Sequence, residues 1–149
     1  MSDDPRLAPS RLPGDSGYHA EYYAWCRKHE LRFQRCTGCG AWRHVPRPMC
    51  GECLSREWEW APVKGTGTIH CWTVVRRALN PAFAGDVPYA PVIVELDEGP
   101  RIPTWVTDLA FEDYRVGLPV EVWFDDVSDA VALPKFRPSV RNGSDESRR

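Results

Sequence analysis

The chain has 149 residues, with 19 Lys+Arg against 21 Asp+Glu and a formal net charge of -2. That length fits one ordinary domain or two small ones, and no apolar run approaches the roughly 20 residues needed to cross a bilayer. Residues 61–137 carry 7 basic and 11 acidic side chains. Such a balance argues against a nucleic-acid platform, because backbone binding is built from neutralised phosphates.

Residues 1–16 hold Pro5, Pro9 and Pro13 among polar residues and read as a disordered arm. Residues 17–31 read as a helix with Ser16 as its N-cap. Tyr18, Tyr22 and Trp25 fall at i, i+4 and i+7, with Tyr23 and Cys26 beside them. This stripe has two accounts. The helix packs on its own domain, or Tyr18, Tyr22, Tyr23 and Trp25 face a partner, since aromatics are enriched in interface cores.

Residues 32–60 contain Cys36-Thr37-Gly38-Cys39 and, after ten intervening residues, Cys50-Gly51-Glu52-Cys53. Two Cys-x-x-Cys pairs at that separation are a zinc signal. Thiolate is among zinc's preferred donors, and four of them close a tetrahedron with no position left for a reactive water. Cys36, Cys39, Cys50 and Cys53 are therefore expected to hold a structural zinc ion in a ribbon. A redox pair would not need the second motif. A disulfide frame suits a secreted chain, but no signal peptide is visible, and paired thiols suit a reducing, cytoplasmic setting. Short strands are expected at 42–45 and 56–60, with Trp58 and Trp60 on one face. Arg32, Arg35, Arg43, His44 and Arg47 make the ribbon basic. A solvated face is the ordinary account, and an anion site is the alternative.

Residues 61–137 alternate as five strands: 66–77, 88–96, 101–107, 118–127 and 130–136. A helical turn at 109–114 falls between the third and fourth. That order matches the five-stranded Greek-key barrel called the OB-fold. Ile69, Cys71, Thr73 and Val75 are assigned to one face of the first strand, where Cys71 would act as a small hydrophobe. The connection 78–87 is unusually apolar, and Phe83 within it contacts a ligand's apolar arm or a partner subunit, or folds back over the barrel mouth. Residues 138–149 read as a disordered tail. The four histidines show no mutual spacing for a second metal or a general base, so no catalytic residue is assigned.

Several segments in order resemble a known family. They are Phe33-Gln34-Arg35-Cys36 with Cys39, Pro46-Arg47-Pro48 before Cys50, and Ser55-Arg56-Glu57-Trp58. Further along come Gly65-Thr66-Gly67-Thr68, Asp86-Val87-Pro88-Tyr89, Val94-Glu95-Leu96-Asp97-Glu98-Gly99 and Leu133-Pro134-Lys135-Phe136. The chain looks like the zinc-ribbon plus OB-fold family of acyl-CoA-associated proteins, domain of unknown function family thirty-five. The likeness covers about residues 17–137.

The resemblance implies a mainly β protein: an N-terminal helix, a rubredoxin-like four-cysteine zinc ribbon, then the barrel. It implies a non-catalytic accessory subunit in a hetero-oligomer with a thiolase-superfamily enzyme, a thiolase or retro-aldolase, helping to shape an acyl-CoA site. A hotdog-fold enoyl-CoA hydratase is the alternative partner. On this reading Arg43, Arg47 and Phe83 become candidate CoA contacts. Tyr22-Tyr23-Ala24-Trp25 departs from the family's usual Phe-Trp. Two other classes stay open: a single-stranded nucleic-acid module, and a free-standing enzyme using Cys71 or a carboxylate.

Overall fold

In the computed structural model, which describes residues 4–140, the ribbon and the barrel are joined through one core. Helix α1 spans Gly17–Cys26 and is followed by strands β1 (Arg32–Cys36), β2 (Trp42–Arg43) and β3 (Trp58–Pro62). These three form an antiparallel sheet in the order β2-β1-β3. The barrel strands are β4 (Thr66–Trp72), β5 (Pro91–Leu96), β6 (Arg101–Trp105), β7 (Pro119–Ser128) and β8 (Val131–Pro138), in the order β6-β5-β4-β7-β8. A parallel bridge between Val106 and Phe136 brings the two outer strands together, with Thr107 N–H donating to the Phe136 carbonyl at 2.8 Å. This is the closure an OB-fold needs, and closure removes the exposed sheet edges. The turn between β6 and β7 is a single 3₁₀ turn, Phe111–Asp113, as the pattern suggests.

The period-2 pattern places Val92, Val94 and Leu96 inside, at 1%, 0% and 2% exposure, and Val120 and Phe136 at 0%. Two glycines make close approaches possible. A Cβ at Gly67 would collide with the Glu95 carbonyl of the neighbouring strand, and Gly65, at φ +76, has Val122 in the space a Cβ would take.

The helix is shorter than the aromatic stripe suggests. It ends at Cys26 because His29 takes a left-handed φ of 56, and Glu30 N–H turns back to the Trp25 carbonyl at 3.1 Å. Ser16 sits at the N-cap position in extended conformation, but its side chain makes no capping bond. Tyr22 and Cys26 on α1 join Leu31 and Phe33 of the ribbon and Ile69, Val94 and Phe136 of the barrel in one buried cluster. The ribbon therefore borrows a core as well as offering a metal frame.

Three expectations need correction. In β4, the pairs Ile69–Val94 and Cys71–Ile93 leave His70 as an extra residue, a β-bulge. A bulge shifts the alternation by one. Ile69 is buried while Cys71 is exposed, so Cys71 is not on the apolar face. The arm is not unstructured over its described part: Pro5–Leu7 and Pro9–Arg11 form 3₁₀ turns, and Arg11 pairs with Asp86 at 2.8 Å. The two ribbon strands beside the cysteine pairs are displaced, to Trp42–Arg43 and Trp58–Pro62. Of the expected tail, residues 141–149 lie outside the described residues.

Candidate functional site: a four-thiolate knuckle pair and a mostly apolar cleft

The two cysteine turns repeat one backbone pattern. Gly40 N–H donates to the Cys36 carbonyl at 2.9 Å, and Leu54 N–H to the Cys50 carbonyl at 3.2 Å. Cys36 N–H reaches the Ala41 carbonyl and Cys50 N–H the Ser55 carbonyl, both at 2.8 Å. The fifth residue of each turn is left-handed, Gly40 at φ 77 and Leu54 at φ 63.

This geometry brings all four Sγ atoms within 4.8 Å of one another. Cys36–Cys53 and Cys39–Cys50 each stand 3.6 Å apart. Zn–S bonds of about 2.3 Å in a tetrahedron require sulfurs about 3.8 Å apart, so the donor set fits a single metal ion. Backbone N–H groups support the anionic form. Those of Cys39 and Gly38 hold the Cys36 thiol down to about 6, and those of Cys53 and Glu52 lower Cys50. Cys36 and Cys50 are buried; Cys39 and Cys53 are exposed.

Arg43 is placed differently from the sequence expectation. It is 2% exposed, because its short strand turns it under the knuckles. Nη2 donates to the Ser55 carbonyl at 3.0 Å and the Glu57 carbonyl at 3.3 Å, and Nη1 to the Arg47 carbonyl at 3.4 Å. It also helps to lower the Cys36 thiol. Arg43 is thus a buried support of the thiolate cluster and is withdrawn as a surface contact for CoA. Outer partners of this kind orient metal ligands and tune their charge. Arg47 remains exposed, while its N–H donates to the fully buried Gln34 Oε1 at 2.7 Å.

The aromatic stripe divides. Tyr22 is 3% exposed and belongs to the core, so it is not an interface residue. Tyr18 meets Trp58 edge-on at 5.5 Å, and Glu21 accepts from Trp60 Nε1 at 2.8 Å, so this side of α1 packs on the ribbon. Tyr23 is half-buried, and Trp25 lies under the cations of Lys28 at 4.5 Å and Arg32 at 4.2 Å. Phe83 folds back onto the barrel, 5.8 Å from Tyr89 and 6.4 Å from Trp105. The Arg11 guanidinium caps it at 4.7 Å.

Between the arm, α1, the ribbon and the β6–β8 surface lies a cleft of about 420 Å³. Tyr22, Tyr23, His44, Phe83, Trp105 and Lys135 are among its walls. Phe83, Tyr22 and Tyr23 were candidates from sequence, and His44 was one of the basic ribbon residues weighed as an anion site; Trp105 and Lys135 had been given no role. His44 and Trp105 lie 61 residues apart, and no local pattern links them. Among the described residues, no helix is long and apolar enough to cross a membrane.

Residues 26–59 match the family described as "ChsH2, rubredoxin-like zinc ribbon domain", and residues 60–125 match "ChsH2, C-terminal OB-fold domain". A "DUF35 domain-containing scaffold protein" of Methanocaldococcus jannaschii is 33% identical over 111 residues, 70% of this chain and 78% of that one. A "Probable enoyl-CoA hydratase alpha subunit" of Thermomonospora curvata is 33% identical over 122 residues, 82% of this chain. The chain spans only 38% of that relative's length. The solved "Ltp2-ChsH2(DUF35) aldolase" contains a chain with a TM-score of 0.73 and 33% identity, covering 81% of this chain and 94% of that one.

Proposed function

This chain belongs to the DUF35 family of zinc-ribbon plus OB-fold proteins, and from that premise we propose that it is a non-catalytic accessory subunit of an acyl-CoA-converting complex. It docks on a thiolase-superfamily enzyme, a thiolase or retro-aldolase, in a hetero-oligomer and helps to shape that enzyme's acyl-CoA site. The observation that carries this reading is the likeness to a chain of the solved "Ltp2-ChsH2(DUF35) aldolase", over 94% of that chain's length. The metal is zinc and its role is structural, because four thiolates leave it no open position for substrate. The protein works in the cytoplasm, where thiols stay reduced.

Tyr18, Tyr23 and Trp25 contribute to the docking face where α1 is half-exposed. Arg47 offers a cation to CoA phosphates, and no ion pair holds it among the described residues. The apolar Phe83 loop lies at the rim of the cleft. A second partner class, an enoyl-CoA hydratase, is favoured by the Thermomonospora curvata relative.

Purification of the tagged chain at native expression level tests the proposal. A thiolase-superfamily subunit should be retained in stoichiometric amount. An isolated chain that stays monomeric beside every such enzyme and turns over acyl-CoA unaided would refute it.

A further inference from the structure

The cleft walls combine two features that seldom coincide. Their charges are already answered within the protein: Arg11 pairs with Asp86 at 2.8 Å, and Lys135 pairs with Asp125. Two polar atoms deeper in the wall are not answered. Tyr22 Oη and His44 Nδ1 are both buried, and neither makes a hydrogen bond. Tyr22 Oη has the Cys26 thiol nearby, a weak acceptor at best. His44 is neutral, since burial pushes its imidazole down to about 4. A buried donor or acceptor without a partner is costly, and native structures rarely leave one so.

The remaining walls are flat and apolar. Trp105 and Phe83 stand 6.4 Å apart on one side, each backed by Tyr89 behind the wall, and Pro103 and Pro134 line the same space. Ligand sites typically combine such walls with a few convergent polar groups, at volumes of roughly 300–1,000 Å³. Residues of the arm, Ser10 to Pro13, form part of the enclosure.

We propose that this cleft is a binding site for an uncharged, largely apolar ligand whose carbonyl or hydroxyl oxygen meets Tyr22 and His44. The site is complete within this one chain. Phosphates and carboxylates are disfavoured, because both cations at the rim already have carboxylate partners. This site is distinct from any CoA contact at Arg47 and stands whether or not the chain docks on an enzyme.

The test uses the zinc-loaded full chain and three matched probes: 4-phenyl-2-butanone, butylbenzene and 4-phenylbutanoate. Binding is followed by NMR of the His44 and Tyr22 rings. The ketone is expected to shift both rings saturably and to bind about fivefold tighter than the hydrocarbon, the worth of one ordinary hydrogen bond. Tyr22→Phe and His44→Phe keep the rings and should each narrow that gap. Ser10→Trp, on the exposed arm, should fill the cleft and abolish binding while the core signals stay unchanged. Absence of a saturable shift, equal affinity for ketone and hydrocarbon, or binding of the carboxylate alone would each overturn the proposal.

Discussion

The His44 imidazole lies flat on the Phe33 ring, with centroids 4.2 Å apart and planes 12° from parallel. Burial, with the nearby charges of His19 and Arg47, lowers its pKa from the ordinary 6.5 to about 4. A base whose pKa is depressed on folding stabilises the folded state above its unfolded pKa. That stability is lost as pH falls from 6.5 toward 4, because the unfolded chain takes up the proton first. The loss attributable to His44 is on the order of 3 kcal/mol. Denaturant titrations of wild type and His44→Phe across this window should show the wild type falling more steeply. Parallel curves would show that His44 does not titrate differently in the two states.

Metal removal should be felt locally. Structural zinc contributes about 10–16 kcal/mol in small metal-folded units, but here Phe33 and Leu31 also share the barrel's core. Chelation is expected to expose the amides around the two knuckles, 36–40 and 50–55, to hydrogen exchange while β5 and β7 stay protected. Unchanged exchange at the knuckles after verified metal loss would contradict this.

Arg43 should matter for stability and not for CoA. Arg43→Ala removes the guanidinium's bonds to the Ser55, Glu57 and Arg47 carbonyls, although Ser55 and Glu57 keep the Cys50 and Thr37 N–H groups as donors. A hydrogen bond to a charged group is worth about 1.5–3 kcal/mol. Arg43→Lys keeps the charge but loses the fork and should recover only part of that. Melting temperatures of the zinc-loaded variants measure the order. CoA affinity in the assembled complex should be unchanged in any folded Arg43 variant and reduced in Arg47→Ala.

Leu54 holds a left-handed φ of 63 with its side chain 66% exposed, where the matching knuckle has Gly40. The left-handed region costs a side-chain-bearing residue roughly 1–2 kcal/mol. Leu54→Gly should therefore stabilise the isolated chain by about 1 kcal/mol after the larger flexibility of unfolded glycine is allowed for. Destabilisation on thermal melting would show that the leucine packs on something essential.

Arg11→Ala should free the arm. It removes the Asp86 pair, the contact to the Ala82 carbonyl at 3.1 Å and the cap on Phe83. Proteolytic cleavage within residues 4–16 is expected to rise several-fold, with the barrel intact. Equal cleavage rates in the two forms would show that Arg11 does not hold the arm.

The thiolate frame was legible because metal spacing is written along the chain: two turns, each local, each with its glycine. The barrel order was legible from alternation, and Val92, Val94, Leu96 and Val120 all face inward as it required. What failed was non-local. A single extra residue at His70 reversed the faces of β4 and turned Cys71 outward, and no composition marks a bulge. Arg43 looked like a surface cation because charge alone suggests solvent, yet three carbonyls brought together by the folded turns receive it. The arm looked unstructured because its anchor, Asp86, lies 75 positions downstream.

The continuous packing from Tyr22 and Cys26 through Phe33 to Ile69 and Phe136 leaves no soft joint between the two halves of the molecule. Whatever grips the knuckles also sets the angle at which the barrel is presented, as a handle sets the pose of a blade. An association that needed the halves to swing apart would have to melt that shared interior first.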